Sequence, residues 1–279
     1  AVTNGVAGCY INSGESCDSP QRMLVPHHRM NEVMAIAKSR PNSIYLPTDT
    51  KGQITEKPSC DVFAFQIANP ESGIIQNENI ANAILACDAT ASGARIPLPK
   101  NWASAAFDAR SWGGPSGISF LTLNNEKDWS YPYPHVGAEK TPGGYSLPLL
   151  IGAAIALNEF KVDRAEKDSN ILKLNHLLRN ELNGFAIPEP IGMPHLITIG
   201  FGSINGEHLV SKLNEQGFAC DTGSACSADD LRPSRTLEAM GLPNKGNLRI
   251  TLHDQTTEQD VVELASAIKH LPSSSKTVS

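Results

Sequence analysis

From residue 43 onward, short apolar runs alternate with stretches in which apolar side chains recur every three or four positions. Residues 61–68, Asp-Val-Phe-Ala-Phe-Gln-Ile-Ala, predict a buried strand, 77–83 a short helix and 84–87 the next strand. Further strands are expected at 104–107 and 117–123, followed by a long loop over 124–145 that is rich in Pro, Tyr and Gly. Helical spacing covers 147–160 and 164–182, the second stretch carrying Ile171, Leu172, Leu174, Leu177, Leu178 and Leu182 on one broad face. Beyond it the pattern predicts a strand at 195–201, a helix at 206–216, a polar loop at 222–227, a strand at 247–252 and a terminal helix at 257–271. Strands alternating with helices imply an α/β domain with a mainly parallel sheet, whose strand-end polar side chains face a ligand crevice. The expected division is a large domain over residues 1–159, a smaller α+β domain over 160–272 and a frayed tail at 273–279, with no internal repeat.

Composition narrows the function classes. With 279 residues, 40% of them hydrophobic, the chain can bury a substantial core. A net charge of −6 with scattered lysines and arginines argues against direct nucleic-acid binding. No apolar run reaches the roughly 20 residues that span a bilayer, and the opening Ala1-Val2-Thr3-Asn4-Gly5 lacks the form of a signal peptide, so the expected location is the cytoplasm. The 6 cysteines, at 9, 17, 60, 87, 220 and 226, form no C-x-x-C pair and are expected to be reduced thiols. Cys220, in the apolar neighbourhood of Phe218, reads as a buried strand residue.

Candidate chemistry centres on Thr222-Gly223-Ser224-Ala225-Cys226-Ser227. Small residues leave the Cys226 sulfur uncovered, as a nucleophile needs, although a thiol in a polar loop is by itself more often inert. Arg249 follows in the strand-like run Asn247-Leu248-Arg249-Ile250-Thr251-Leu252, a cation suited to clamping a carboxylate.

These segments, together with Leu231-Arg232-Pro233-Ser234 and Ala239-Met240-Gly241-Leu242, resemble the C-terminal part of the cysteine desulfurases, class V members of the fold type I pyridoxal phosphate enzymes. The resemblance implies a fold type I transferase-like architecture with a truncated large domain. It also implies that Cys226 holds a persulfide and that Arg249 binds the carboxylate of cysteine. The family's Gly-Ala-Thr phosphate loop has only a faint echo at 12–16, and the N-terminal portion is expected to be short.

Pyridoxal phosphate is the cofactor the resemblance implies, and its contacts map unevenly. Asp88, at the end of a strand in Cys87-Asp88-Ala89-Thr90-Ala91, resembles the partner of the pyridinium nitrogen, while the family's glutamine falls on Ala91. Asn69, in Ala68-Asn69-Pro70-Glu71-Ser72-Gly73, resembles a substrate-side asparagine and reads equally as an Asn-Pro turn. His27 or His28 stands near the position of a ring-stacking histidine, and the pair reads equally as surface side chains. In Phe107-Asp108-Ala109-Arg110-Ser111-Trp112-Gly113-Gly114-Pro115 the lysine position is Ser111, the histidine position Arg110 and a phosphate-binding serine position Asp108. A serine cannot form a Schiff base, so covalent binding is doubtful and binding itself open. A second phosphate site falls on Thr141-Pro142-Gly143-Gly144, and Lys100 and Lys140 are the nearby amines.

Three readings compete. The first is a diverged desulfurase-like protein that keeps Cys226 as a persulfide acceptor, or keeps the fold as a scaffold. The second is an active desulfurase with a non-standard cofactor site, and the third a pyridoxal-independent thiol enzyme with His253 as base. Cysteine or a protein persulfide is the expected partner, and the resemblance implies a homodimer.

Overall fold

A computed structural model describes residues 46–55, 62–76, 84–125, 146–202, 204–222 and 234–271. The helix expected at 77–83, most of the 124–145 loop, Cys226, His27, His28 and Lys140 lie outside the described residues. The chain divides into two compact units, one built mainly from Glu56–Ile67 and Glu78–Val162, the other from Pro47–Thr55, Ala68–Asn77 and Asp163–Ser279.

The first unit is a four-stranded sheet in the order β1 (Val62–Gln66), β2 (Ile84–Asp88), β3 (Trp102–Asp108), β4 (Ser119–Leu123). Strands β1, β2 and β3 are parallel, and β4 returns antiparallel to β3. Side-chain alternation explains β1: Phe63 and Phe65 are buried while Val62 and Ala64 face out. Residues 89–101 join β2 to β3 through turns rather than an α-helix. Between β3 and β4 the chain makes a 3-10 turn, Ala109–Trp112, capped by the Asp108 carboxylate on the Arg110 amide. Trp112 is buried and its indole N–H donates to the Ala153 carbonyl at 3.1 Å, tying the turn to helix α1 (Leu147–Lys161). Pro148 sits in the first turn of α1, where a missing amide hydrogen costs nothing.

In the second unit, helix α2 (Arg164–Glu181) precedes strand β5 (Leu196–Phe201), helix α3 (Gly206–Asn214), the short helix α4 (Arg235–Ala239), strand β6 (Gly246–Thr251) and helix α5 (Glu258–Lys269). Strands β5 and β6 pair antiparallel. One core gathers Ile171 and Leu178 from α2, Ile197 and Ile199 from β5, Leu209 from α3, Leu248 from β6 and Leu264 from α5. Every residue of β5 is buried, which is why 196–201 reads as a continuous apolar run rather than an alternating one. Its Thr198 hydroxyl donates to the Glu71 carbonyl, so residues 68–76 cover that side of the strand.

Three local differences from expectation have physical causes. The helix expected to reach residue 216 ends at Asn214, because the last residues close a turn at Gly217, whose φ of 89° leaves the helical region. Helix α4 spans 5 residues, too few for apolar periodicity to register. Cys220 lies outside any strand, partly buried against the core just before an isolated bridge between Asp221 and Arg249.

Candidate active site

The second unit assembles the residues expected to read a substrate. Arg249 lies in β6 between buried Leu248 and Ile250, so the pleat turns its guanidinium away from the core. There its Nη2 pairs with the Asp221 carboxylate, and Nη1 approaches the Pro70 carbonyl at 3.5 Å. The two main chains are also joined: the Asp221 amide donates to the Arg249 carbonyl at 3.0 Å and the Arg249 amide to the Asp221 carbonyl at 2.7 Å. Asp221 is thereby fixed beside Arg249 at the root of the segment that leads to Cys226. Its Oδ1 also accepts from the Thr222 amide at 2.7 Å.

Asn69 stands at the other wall of this cluster, one residue before Pro70. Its Oδ1 accepts from the Glu71 amide, the Ser72 amide and the Ser72 hydroxyl at 3.0, 2.8 and 3.1 Å, which builds an Asx turn. Its Nδ2 extends toward the Thr236 hydroxyl at 3.5 Å. Asn247 donates to Glu71 Oε1 at 3.2 Å and receives the Thr222 hydroxyl at 3.3 Å. Asn69 and Arg249 are thus brought into one cluster, accompanied by Asp221, Glu71, Asn247 and Thr236, which the sequence does not single out. Adjacency to the motif segments is the signal that could have found three of them: Glu71 beside Asn69, Asn247 in the strand of Arg249, and Asp221 next to the 222–227 loop.

In the first unit, Asp88 and the 109–112 turn stand at the C-terminal ends of adjacent parallel strands, where α/β sheets receive ligands. Asp88 is buried; its Oδ1 accepts from the Thr90 amide at 2.9 Å and the Thr90 hydroxyl at 2.6 Å, and its Oδ2 lies 3.4 Å from Gln66 Nε2. The carboxylate expected to meet a pyridinium thus caps the turn that follows its own strand. Ser111 donates its hydroxyl to the Asp108 carbonyl at 2.7 Å. It packs so closely on Gly93 that a Cβ there would fall 2.5 Å from the Ser111 oxygen, and Gly93 has a φ of 53°. Only glycine meets both conditions. Asp108 is held by Arg110 through a 2.8 Å ion pair, so this corner carries a carboxylate and its own counter-ion.

This donor set does not fit a covalently held pyridoxal phosphate. The position expected for the amine holds a hydroxyl bonded to the Asp108 carbonyl, and the position expected for a phosphate-binding serine holds a carboxylate paired to Arg110. Lys100 is no substitute: it precedes β3, whose Ala106 is the register partner of Asp88, which puts it at the opposite end of the strands, roughly 15 Å or more away. These residues support no reaction step through that cofactor.

The surroundings of both described thiols oppose the thiolate form. Burial, with Asp88 adding to it, pushes the Cys87 thiol up to about 12. Burial and then Asp221 push Cys220 up to about 11. His253 is committed to a local turn, its Nδ1 accepting from the Gln255 amide at 3.2 Å. Among the described residues no cluster of three His, Cys, Asp or Glu side chains suits a metal ion, and no helix is long and apolar enough to cross a membrane.

No family model matches the chain. A cysteine desulfurase of Sinorhizobium fredii is 25% identical over 258 residues, covering 81% of this chain and 66% of that protein. The cysteine desulfurase IscS 1 of Archaeoglobus fulgidus is 29% identical over 253 residues, covering 80% and 65%. The chain thus spans just under two thirds of the length of these relatives. Among solved structures, a NifS-like protein superposes with a TM-score of 0.70 at 22% identity, covering 88% of this chain and 72% of its own. In sequence the chain is a relative of the cysteine desulfurases, and its fold is that of the fold type I pyridoxal phosphate transferases.

Proposed function

We propose that this chain is a diverged cysteine desulfurase-like protein that handles sulfur as a persulfide on Cys226 and does not itself carry out the lysine-dependent reaction of its relatives. The observation that carries the reading is the contrast between the two clusters. Arg249 is positioned on β6 at the root of the cysteine segment, while the turn after β3 closes on a serine hydroxyl bonded to Asp108. In this reading Arg249 holds the carboxylate of a cysteine-derived donor, with Asn69 shaping the adjacent wall. The Cys226 thiolate attacks the outer sulfur of a donor persulfide; a new sulfur–sulfur bond forms, the donor's bond breaks, and the donor leaves as a thiolate. The fitting partner is a low-molecular-weight or protein persulfide. Free thiols at Cys87 and Cys220 suit a reducing compartment such as the cytoplasm, and a homodimer is part of the same reading.

The test is transfer of labelled sulfane sulfur from a persulfide donor to the full chain and to its Cys226→Ser variant, followed by mass spectrometry. Wild type is expected to gain one sulfur atom at Cys226, and the variant to lose nearly all of that label. Equal labelling of both removes the acceptor role and leaves a scaffold that keeps the fold without the chemistry.

A further inference from the structure

We infer that Asp221 is a built-in competitor for the anion-binding face of Arg249, and that it makes this site select zwitterionic amino acids over simple carboxylates. The inference rests on the reading of Arg249 as a carboxylate binder and adds a residue to which that reading attaches no role. Asp221 touches the guanidinium through Nη2, and two reciprocal main-chain hydrogen bonds hold the residues side by side, so the side-chain pair reforms whenever it opens. A tethered carboxylate competes at high effective concentration without any association cost.

A second carboxylate among the described residues stands in the same cluster. Glu71, bonded through Oε1 to Asn247 Nδ2 at 3.2 Å, supplies it, and among the described residues the other guanidinium edge meets the Pro70 carbonyl at 3.5 Å. A ligand bearing only a carboxylate that takes the Nη2 edge displaces Asp221 from Arg249, in a cluster that already holds Glu71. A ligand bearing an ammonium as well offers the displaced Asp221 a new partner while its own carboxylate takes Arg249. The exchange then replaces one ion pair by two, whereas a ligand that lacks the ammonium replaces one by one and carries the penalty of a displaced Asp221.

Equilibrium dialysis separates these effects using L-cysteine and 3-mercaptopropionate, which share the thiol and the carboxylate but differ in the ammonium, with wild type, D221N, D221E and R249Q full-length chains under reducing conditions. D221N keeps the acceptor for the Thr222 amide while removing the charge. It is expected to bind 3-mercaptopropionate about fivefold more tightly than wild type, the scale of a partly exposed ion pair, and to gain less for cysteine. D221E is expected to behave as wild type, and circular dichroism melts verify that each variant is folded. If R249Q weakens both ligands while D221N leaves 3-mercaptopropionate unchanged or weaker, the competitor role of Asp221 is overturned and the reading of Arg249 stands. If R249Q changes neither ligand, or no variant binds either, the reading of Arg249 falls and the inference falls with it.

Discussion

Each thiol takes its chemistry from its immediate surroundings. Cys87 lies on the buried face of β2 next to Asp88, and Cys220 packs against the second unit's core next to Asp221; in both, burial comes first and a neighbouring carboxylate second in opposing the thiolate. Raised values of about 12 and about 11 against an ordinary 9.0 mean that the folded state holds these protons more tightly than the unfolded one. Their contribution to stability is complete below pH 9 and is lost as pH rises from there through the folded values. Iodoacetamide at pH 7.5 is therefore expected to leave Cys87 and Cys220 unmodified in the native protein and to reach both after denaturation. Peptide mapping that finds either one alkylated as fast as a free thiol contradicts this account. The sequence marks Cys220 as a buried strand residue; it is partly buried and outside any strand, because the bridge that follows it depends on Arg249, 28 positions beyond Asp221.

Among the helices and strands, regular patterns are legible and short or composite ones are not. Helix α5 announces itself at Thr257, whose hydroxyl caps the Asp260 amide while the Asp260 carboxylate caps Thr257 in return. Helix α3 is visible through the spacing of Leu209 and Leu213, both fully buried in the core. Truncating Leu209 to alanine removes apolar contacts that a close-packed core cannot refill, and is expected to lower the unfolding free energy by about 3 kcal/mol. Urea titration measures it, and a loss below about 1 kcal/mol would mean that this core is loosely packed. Helix α4 leaves no comparable trace, since a single turn capped by Ser234 has no periodicity to detect. The sequence implies a mainly parallel sheet but not its register, and the register of β2 against β3 decides that Lys100 stands at the wrong end of the strands to serve Asp88.

Cofactor chemistry is a property of the whole molecule, because it needs an amine, a carboxylate and phosphate donors brought together from distant segments. Purified chain incubated with pyridoxal phosphate is expected to show no protein-bound absorbance in the visible that survives dialysis and disappears on borohydride reduction. Such a band, with a pyridoxyl group mapped to any lysine, overturns the assignment of Ser111 as the end of covalent anchoring. Burial periodicity and side-chain chemistry are local properties, so the order of residues was enough for the longer strands and helices and for the likeness to the cysteine desulfurases. Folding in three dimensions was needed to seat Asp221 on Arg249 and to bring Asn69 to Thr236, 167 residues away. Such pairings depend on strand register and on which segments the core draws together, and no window along the chain contains both partners.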